Sequence, residues 1–271
     1  MIRQNLHTHT LFDDGSASPA EMAEAAIAAG LTSLGFSGHS VLPYDNDWSL
    51  SESRVPEYLA AVAEVREQYW DRLTVYSGLE WDGISPQSTD EFDYIIGSLH
   101  HIAIHGEYPS IDDTPRETRR ILEQYYHGDQ DAMTEAYFSQ YDALAEEPAV
   151  DIVGHFDLLR KFSEKDVRFF RCTPFFQDCA LAALERLVKA DKIFEVNTGA
   201  IAKGWRTVPY PAPWLLKELR ARNARILVSS DAHSPAAINY AFAEMEDMLK
   251  EMGFRERWEL TKSGFSPVPM H

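Results

Sequence analysis

Short apolar runs alternate along the chain with longer stretches whose apolar positions recur at helical spacing. This is the pattern of repeated βα units around a mainly parallel sheet. Seven runs read as strands, at 2–6, 32–37, 73–79, 92–98, 150–154, 192–196 and 225–229. Helical patterns lie between and after them, at 55–70, 115–126, 131–146, 176–190, 213–222 and 235–252. The first helix announces itself: Ser18-Pro19-Ala20-Glu21 is a capping box with proline at the first helical position, and Gly30 closes the Ala-rich run. No repeat, low-complexity tract or Gly/Ser/Pro linker divides the 271 residues, a length that suits one α/β-barrel domain spanning 1–271.

The residues beyond these strands carry the chemistry. His7 and His9 follow the first strand, His39 the second, Glu80 the third, His100 the fourth, His155 the fifth, and Asp231 with His233 the seventh. In a βα barrel the C-terminal strand ends converge on one face, so residues far apart in sequence meet in one pocket. Imidazole nitrogens and carboxylate oxygens suit Zn, Mn and Fe. In the extended segment His7-Thr8-His9, alternation puts both rings on one side, and Asp231-Ala232-His233 repeats that geometry. Either motif alone is weak evidence; the joint pattern predicts a metal centre. His101 points away from its neighbour by the same alternation, and His100 is preferred because it continues Gly97-Ser98-Leu99. His105, His127 and His271 read as solvated loop or terminal residues.

Composition narrows the class. Lys and Arg number 25 and Asp and Glu 43, a formal charge of −18 that repels nucleic-acid phosphates. Cys172 and Cys179 form neither a disulfide framework nor a complete zinc site and read as reduced thiols. The first residues hold no apolar signal region and no run approaches ~18 apolar residues, so a cytoplasmic protein without membrane or nucleic-acid partners is expected.

Leu6-His7-Thr8-His9-Thr10, Phe36-Ser37-Gly38-His39, Gly78-Leu79-Glu80, Gly97-Ser98-Leu99-His100, Gly154-His155-Phe156-Asp157 and Ser229-Ser230-Asp231-Ala232-His233 together resemble, in order and over most of the chain, the motifs of the polymerase-and-histidinol-phosphatase (PHP) family. The resemblance implies a distorted (β/α)7 barrel with a trinuclear site of divalent ions (Zn, Mn or Fe) at the C-terminal strand ends. Carried onto this chain, one ion takes His7, His9, Glu80 and Asp231, and a second takes Glu80, His100 and His155. The third takes Asp14, His39 and His233, with Asp13 competing with Asp14.

Gly154-His155-Phe156-Asp157-Leu158-Leu159-Arg160-Lys161 and Glu195-Val196-Asn197-Thr198, followed by a basic loop and Tyr210-Pro211, resemble the branch of that family that hydrolyses L-histidinol phosphate. This implies a small-molecule phosphate monoester as substrate, attacked by a hydroxide held between ions. Arg160 is the expected phosphate clamp, since a guanidinium matches phosphate oxygens bidentately. Lys203 and Arg206 are both candidates for further phosphate contact, and Asp231 and His233 for the acid that protonates the leaving alcohol. The loop Leu42-Pro43-Tyr44-Asp45-Asn46-Asp47-Trp48 is placed to cover the pocket and meet a cationic substrate, or is a polar surface loop. Rival readings are a phosphotyrosine or nucleotide phosphatase, a nucleic-acid phosphodiesterase, an amidohydrolase and an inactive metal-binding module. The acidic surface argues against the phosphodiesterase, and an amidohydrolase would leave Asp14, His39 and His233 without a task.

Overall fold

A computed structural model describes residues 1–44, 46–166 and 169–270; Asp45 of the expected covering loop and the terminal His271 lie outside the described residues. The elements run β1 (Gln4–Asn5), α1 (Pro19–Ala28), β2 (Ser33–His39), α2 (Val55–Gln68), β3 (Thr74–Asp82), β4 (Tyr94–Ser98), α3 (Pro115–Tyr126), α4 (Gln130–Ser139), α5 (Tyr141–Glu146) and β5 (Ile152–Val153). They continue with α6 (Pro174–Lys189), β6 (Ile193–Asn197), α7 (Gly199–Ala202), α8 (Pro213–Ala221), β7 (Ile226–Ser229), α9 (Phe242–Glu251), β8 (Glu256–Thr261) and β9 (Gly264–Pro269). All seven expected strands form, and they pair in parallel in chain order from β1 to β7. A parallel bridge between Thr8 and Ala232 joins the first strand's end to the last, and the sheet becomes a nearly closed barrel. The capping box at α1 is present as expected, with Ser18 accepting from the Glu21 amide.

The barrel interior changes character from bottom to top, and period-two alternation explains how. Tyr76, Tyr94, Ile152, Ile193 and Leu227 pack together as an apolar layer near the strand starts. Further along the same faces, two or four residues on, stand Glu80 of β3, Ser98 of β4, Glu195 of β6 and Ser229 of β7, all buried. One face of each strand is therefore apolar below and polar above. Tyr94 fills the lower layer: its hydroxyl donates to the Leu6 carbonyl across the barrel. Gly35 and Gly78 make room for that ring, since a Cβ at Gly78 would lie 2.1 Å from its Cζ.

Three expectations change. The helix expected over 131–146 is two, α4 and α5, broken at Gln140, whose side-chain amide reaches out to the Ala103 amide and the His101 carbonyl. The helix expected over 235–252 starts late, because the Ile238 carbonyl accepts from Asn5 and Ser230 and the Tyr240 carbonyl from Thr198. The chain then passes through Ala241 at φ 57° before α9 begins. The antiparallel hairpin β8–β9 was not expected; prolines at 267 and 269 obscure its alternation. It closes the barrel floor, where Leu260 exchanges two hydrogen bonds with the Gln4 side chain (2.8 and 2.9 Å). Among the described residues no helix is long and apolar enough to cross a membrane.

Gly78→Ala should destabilise the protein by roughly 2–3 kcal/mol, because the Tyr94 ring is buried and hydrogen-bonded and cannot yield. Gly30→Ala, at an open left-handed position (φ 77°), should cost about 1 kcal/mol. Urea unfolding of both variants checks the ranking, and equal losses would mean that Tyr94 can move.

Candidate metal centre

The upper layer gathers the expected ligands. His7 and His9 project from the segment after β1, His39 ends β2, Glu80 lies within β3, and His100 and His155 follow β4 and β5. Asp231 and His233 follow β7, with Asp231 in the left-handed region (φ 50°) that aspartate tolerates better than most residues. Gly199 packs against it, where a Cβ would lie 2.8 Å from the Asp231 side chain.

Glu80 is the hub. One carboxylate oxygen lies 2.9 Å from His155 Nε2 and 3.3 Å from His100 Nε2. The other lies 2.8 Å from His39 Nδ1, 3.3 Å from His7 Nε2 and 3.7 Å from His9 Nε2. Asp231 Oδ1 stands 3.3 Å from His9 Nε2 and 3.8 Å from His7 Nε2. Asp14 lies 3.1 Å from His233 Nε2 and 3.6 Å from His39 Nε2. Donor atoms of His9, Asp14, His39 and His233 all lie within 4.8 Å of one another, as do those of His7, His9 and Glu80, and of His39, Glu80 and His100.

A second ring of carboxylates, whose orienting role the sequence does not disclose, orients the first. Glu195 Oε1 sits 2.5 Å from His7 Nδ1, Asp13 Oδ2 2.6 Å from His9 Nδ1, and Asp82 Oδ2 3.1 Å from His100 Nδ1. Each contact puts the imidazole proton on Nδ1 and leaves the Nε2 lone pair facing inward, the arrangement of a metal-ligating histidine. His7 Nε2, His9 Nε2 and Glu80 Oε2 are buried with no hydrogen-bond partner. Buried polar atoms are almost always satisfied, so three convergent orphans fit divalent ions, and the site binds divalent metal. The sequence signal for Glu195 is a lone acidic residue inside the apolar run Ile193-Phe194-Glu195-Val196.

The geometry separates the paired alternatives. Asp13 is buried and spent on His9, the Thr10 amide and the His39 amide, whereas the Asp14 carboxylate faces the cluster. His100 faces Glu80, while His101 turns away, bonded to Asp82 and, through Nε2, to the Tyr44 hydroxyl at 2.6 Å. His105 and His127 are exposed.

Of the three expected phosphate contacts, Lys203 lines the cavity while Arg160 and Arg206 need correction. Arg160 does not reach the cavity: its Nε donates to the Phe170 carbonyl and its guanidinium lies over the Phe176 ring, outside the barrel. Arg206 is buried against Asp157 (3.3 Å) and stacked on the Tyr210 ring, which stands between it and the cavity. Among the described residues, the lysines and arginines that line the cavity of about 590 Å³ above the centre are Lys203 and Lys161. Lys203 Nζ lies 3.3 Å from His233 Nε2, and Lys161 Nζ lies 2.9 Å from Asp112. Chain direction explains the swap: Arg160 lies in a tight helical turn, where adjacent side chains point apart.

Charge in the centre is mutually stabilised. Burial opposes ionisation of Glu80, but His7, His39 and His100 hold it well below the usual carboxylate range. Burial likewise disfavours charge on His9, yet Asp13 above all pushes its pKa up to about 10. Burial and the neighbouring His9 push His233 down.

A βα barrel with histidines and carboxylates converging at its strand ends defines a metal-dependent hydrolase scaffold. The profile of the family described as "PHP domain" matches residues 5–199. The chain belongs to the PHP domain family. A Deinococcus radiodurans protein named "Probable histidinol-phosphatase" is 30% identical over 265 residues, covering 92% of this chain and 93% of that protein. The Bacillus subtilis protein named "Histidinol-phosphatase" is 22% identical over 268 residues, covering 89% and 97%. The crystal structure of a Lactococcus lactis histidinol phosphate phosphatase complexed with Zn, L-histidinol and phosphate superposes with a TM-score of 0.74 at 20% identity, covering 97% of this chain and 98% of that one.

Two outcomes follow from the two rings. Glu195→Gln should weaken metal retention roughly 10–100-fold, read as metal content after dialysis against graded chelator; wild-type retention would mean Glu195 serves only the fold. The second concerns pH. His9 titrates near 6.5 when unfolded and about 10 when folded without metal, so its contribution is complete below pH 6.5 and lost as pH rises through about 10. Ions require neutral imidazole, so the gain in Tm on loading with metal should grow from pH 6.5 towards 10. A gain that is flat or shrinks across that window would contradict the coupling.

Proposed function

We propose that this protein hydrolyses L-histidinol phosphate to L-histidinol and phosphate, with three divalent ions held by nine side chains. His7, His9, Glu80 and Asp231 hold the first; Glu80, His100 and His155 the second; and Asp14, His39 and His233 the third. Zn, Mn and Fe all suit this mixed nitrogen and oxygen donor set. The observation that carries the reading is the set of orphaned donor atoms around Glu80, in a chain that aligns with named histidinol-phosphatases over nearly its whole length. When bound, the ions supply a water of lowered pKa and positive charge against the phosphoryl oxygens.

The protein's own residues do the rest. Glu195, Asp13 and Asp82 fix three imidazoles in the tautomer that ligates. Lys203 and Lys161 face the cavity as point charges for the phosphate. Of the two candidates for proton transfer, His233 is the poorer. Its Nδ1 proton is engaged by the Asp231 carbonyl at 2.9 Å, and its Nε2 faces Asp14 at 3.1 Å. Asp231 is ionised, since His7 and Lys203 hold it well below the usual carboxylate range against the opposing effect of burial. It accepts a proton from the attacking water at an Oδ and returns it to the leaving alkoxide.

Steady-state phosphate release tests these roles. Activity on L-histidinol phosphate should vanish on chelation and return with Mn or Zn. Lys203→Ala should lower kcat/KM about 10²-fold, while Arg160→Ala should stay within about twofold, because only groups that meet the transition state affect the chemical step. Activity that survives chelation, or a large loss from Arg160→Ala alone, would overturn the assignment.

A further inference from the structure

The cavity above the metal centre is lined by charges of both signs. Lys203 stands beside His233. Asp47 from the loop after β2 and Asp113 from the segment before α3 line the same cavity. Other acidic side chains there are engaged: Asp112 with Lys161 and Glu117 with Arg120. Asp47 and Asp113 have no side-chain partner among the described residues. Trp48 lies next to Asp47, stacked on His101 at 5.9 Å between ring centroids and edge-on to His39 at 4.9 Å.

Tyr44 and Asn46, near Asp47 and Trp48, are pinned. Tyr44 bonds to His101 Nε2, His101 Nδ1 bonds to Asp82, and the same Asp82 oxygen holds His100. The Asn46 side chain accepts from the Trp48 and Ser49 amides. Tyr44 is thus tied through one carboxylate to a residue of the metal centre. Unpaired carboxylates at the rim of a phosphate pocket repel the substrate's own charge unless its leaving group brings a cation to meet them. An indole beside them offers a face to a flat or cationic group.

Resting on the phosphatase reading above, we infer that Asp47 and Asp113 select phosphate esters whose leaving group is positively charged. Trp48 provides the surface for that group, and Tyr44 and His101 are positioning residues that hold the loop. The phosphate lies towards Lys203 and the centre, and the cationic end towards the mouth. Nucleotides, which carry no cation at that end, are disfavoured by the same carboxylates.

The test compares kcat/KM for L-histidinol phosphate with that for p-nitrophenyl phosphate, whose leaving group carries no positive charge. Wild type, Asp47→Asn, Asp113→Asn, the double variant and Tyr44→Phe are assayed, with metal content measured for each. The double variant should lower the ratio of the two kcat/KM values about 10²-fold, roughly tenfold per carboxylate, mainly through KM for the cationic ester. Raising ionic strength should shrink the wild-type preference. Tyr44→Phe should raise KM for the cationic ester while metal content is retained; equal losses on both esters, or lost metal, would overturn the positioning role. A ratio unchanged in the double variant, with the wild type active on histidinol phosphate, would overturn the selection and leave the phosphatase reading intact. A wild type inactive on both esters would overturn both.

Discussion

The seam between the first and last strands carries the rest of the structure. His9 donates its amide to the Ala232 carbonyl at 2.9 Å, and Ala232 donates to the His7 carbonyl at 3.1 Å. These two bonds close the barrel, and they lie within the two motifs that contribute four of the converging donors. Closing the sheet and assembling the centre are therefore one event. A chain with this seam open would lose the fixed relation between His7, His9, Asp231 and His233, and divalent metal held by them would add its binding free energy to closure.

Everything above the apolar layer serves to keep buried charge tolerable. Taking carboxylates out of water is costly unless partners repay it. Glu80, Glu195, Asp13 and Asp82 are all buried, and each is surrounded by histidines, amides or hydroxyls. Ser98 and Ser229 add donors to Glu80 and Glu195 from neighbouring strands. The apolar floor built by Tyr94 and the hairpin underlies the polar layer, and the cavity lies above it.

The barrel and the set of converging side chains were legible because both depend on local pattern. Strand runs have a period of two, and residues at their C-terminal ends must meet once the strands are parallel. What escaped depends on side-chain direction within turns and on long-range pairing. Arg160 and Lys161 are adjacent, and only the turn after His155 decides that the lysine enters the cavity while the arginine packs on Phe176. Arg206 reads as a candidate phosphate contact in a basic loop, yet the fold of Gly199–Ala202 and the segment to Tyr210 buries it behind the tyrosine ring. Glu195 and Asp82 lie inside strands, where an acidic residue gives no ligand-like spacing; their partners come from distant strands. The C-terminal hairpin was hidden by its prolines and by its role as a floor for a barrel already complete in sequence order.

The most direct measurement is anomalous diffraction from crystals of the metal-loaded protein, collected across the Zn and Mn edges. Three peaks around Glu80 are expected: one against His7, His9 and Asp231, one against His100 and His155, and one against Asp14, His39 and His233. A single ion, or none within reach of Glu80, would contradict the trinuclear centre and the chemistry assigned to it.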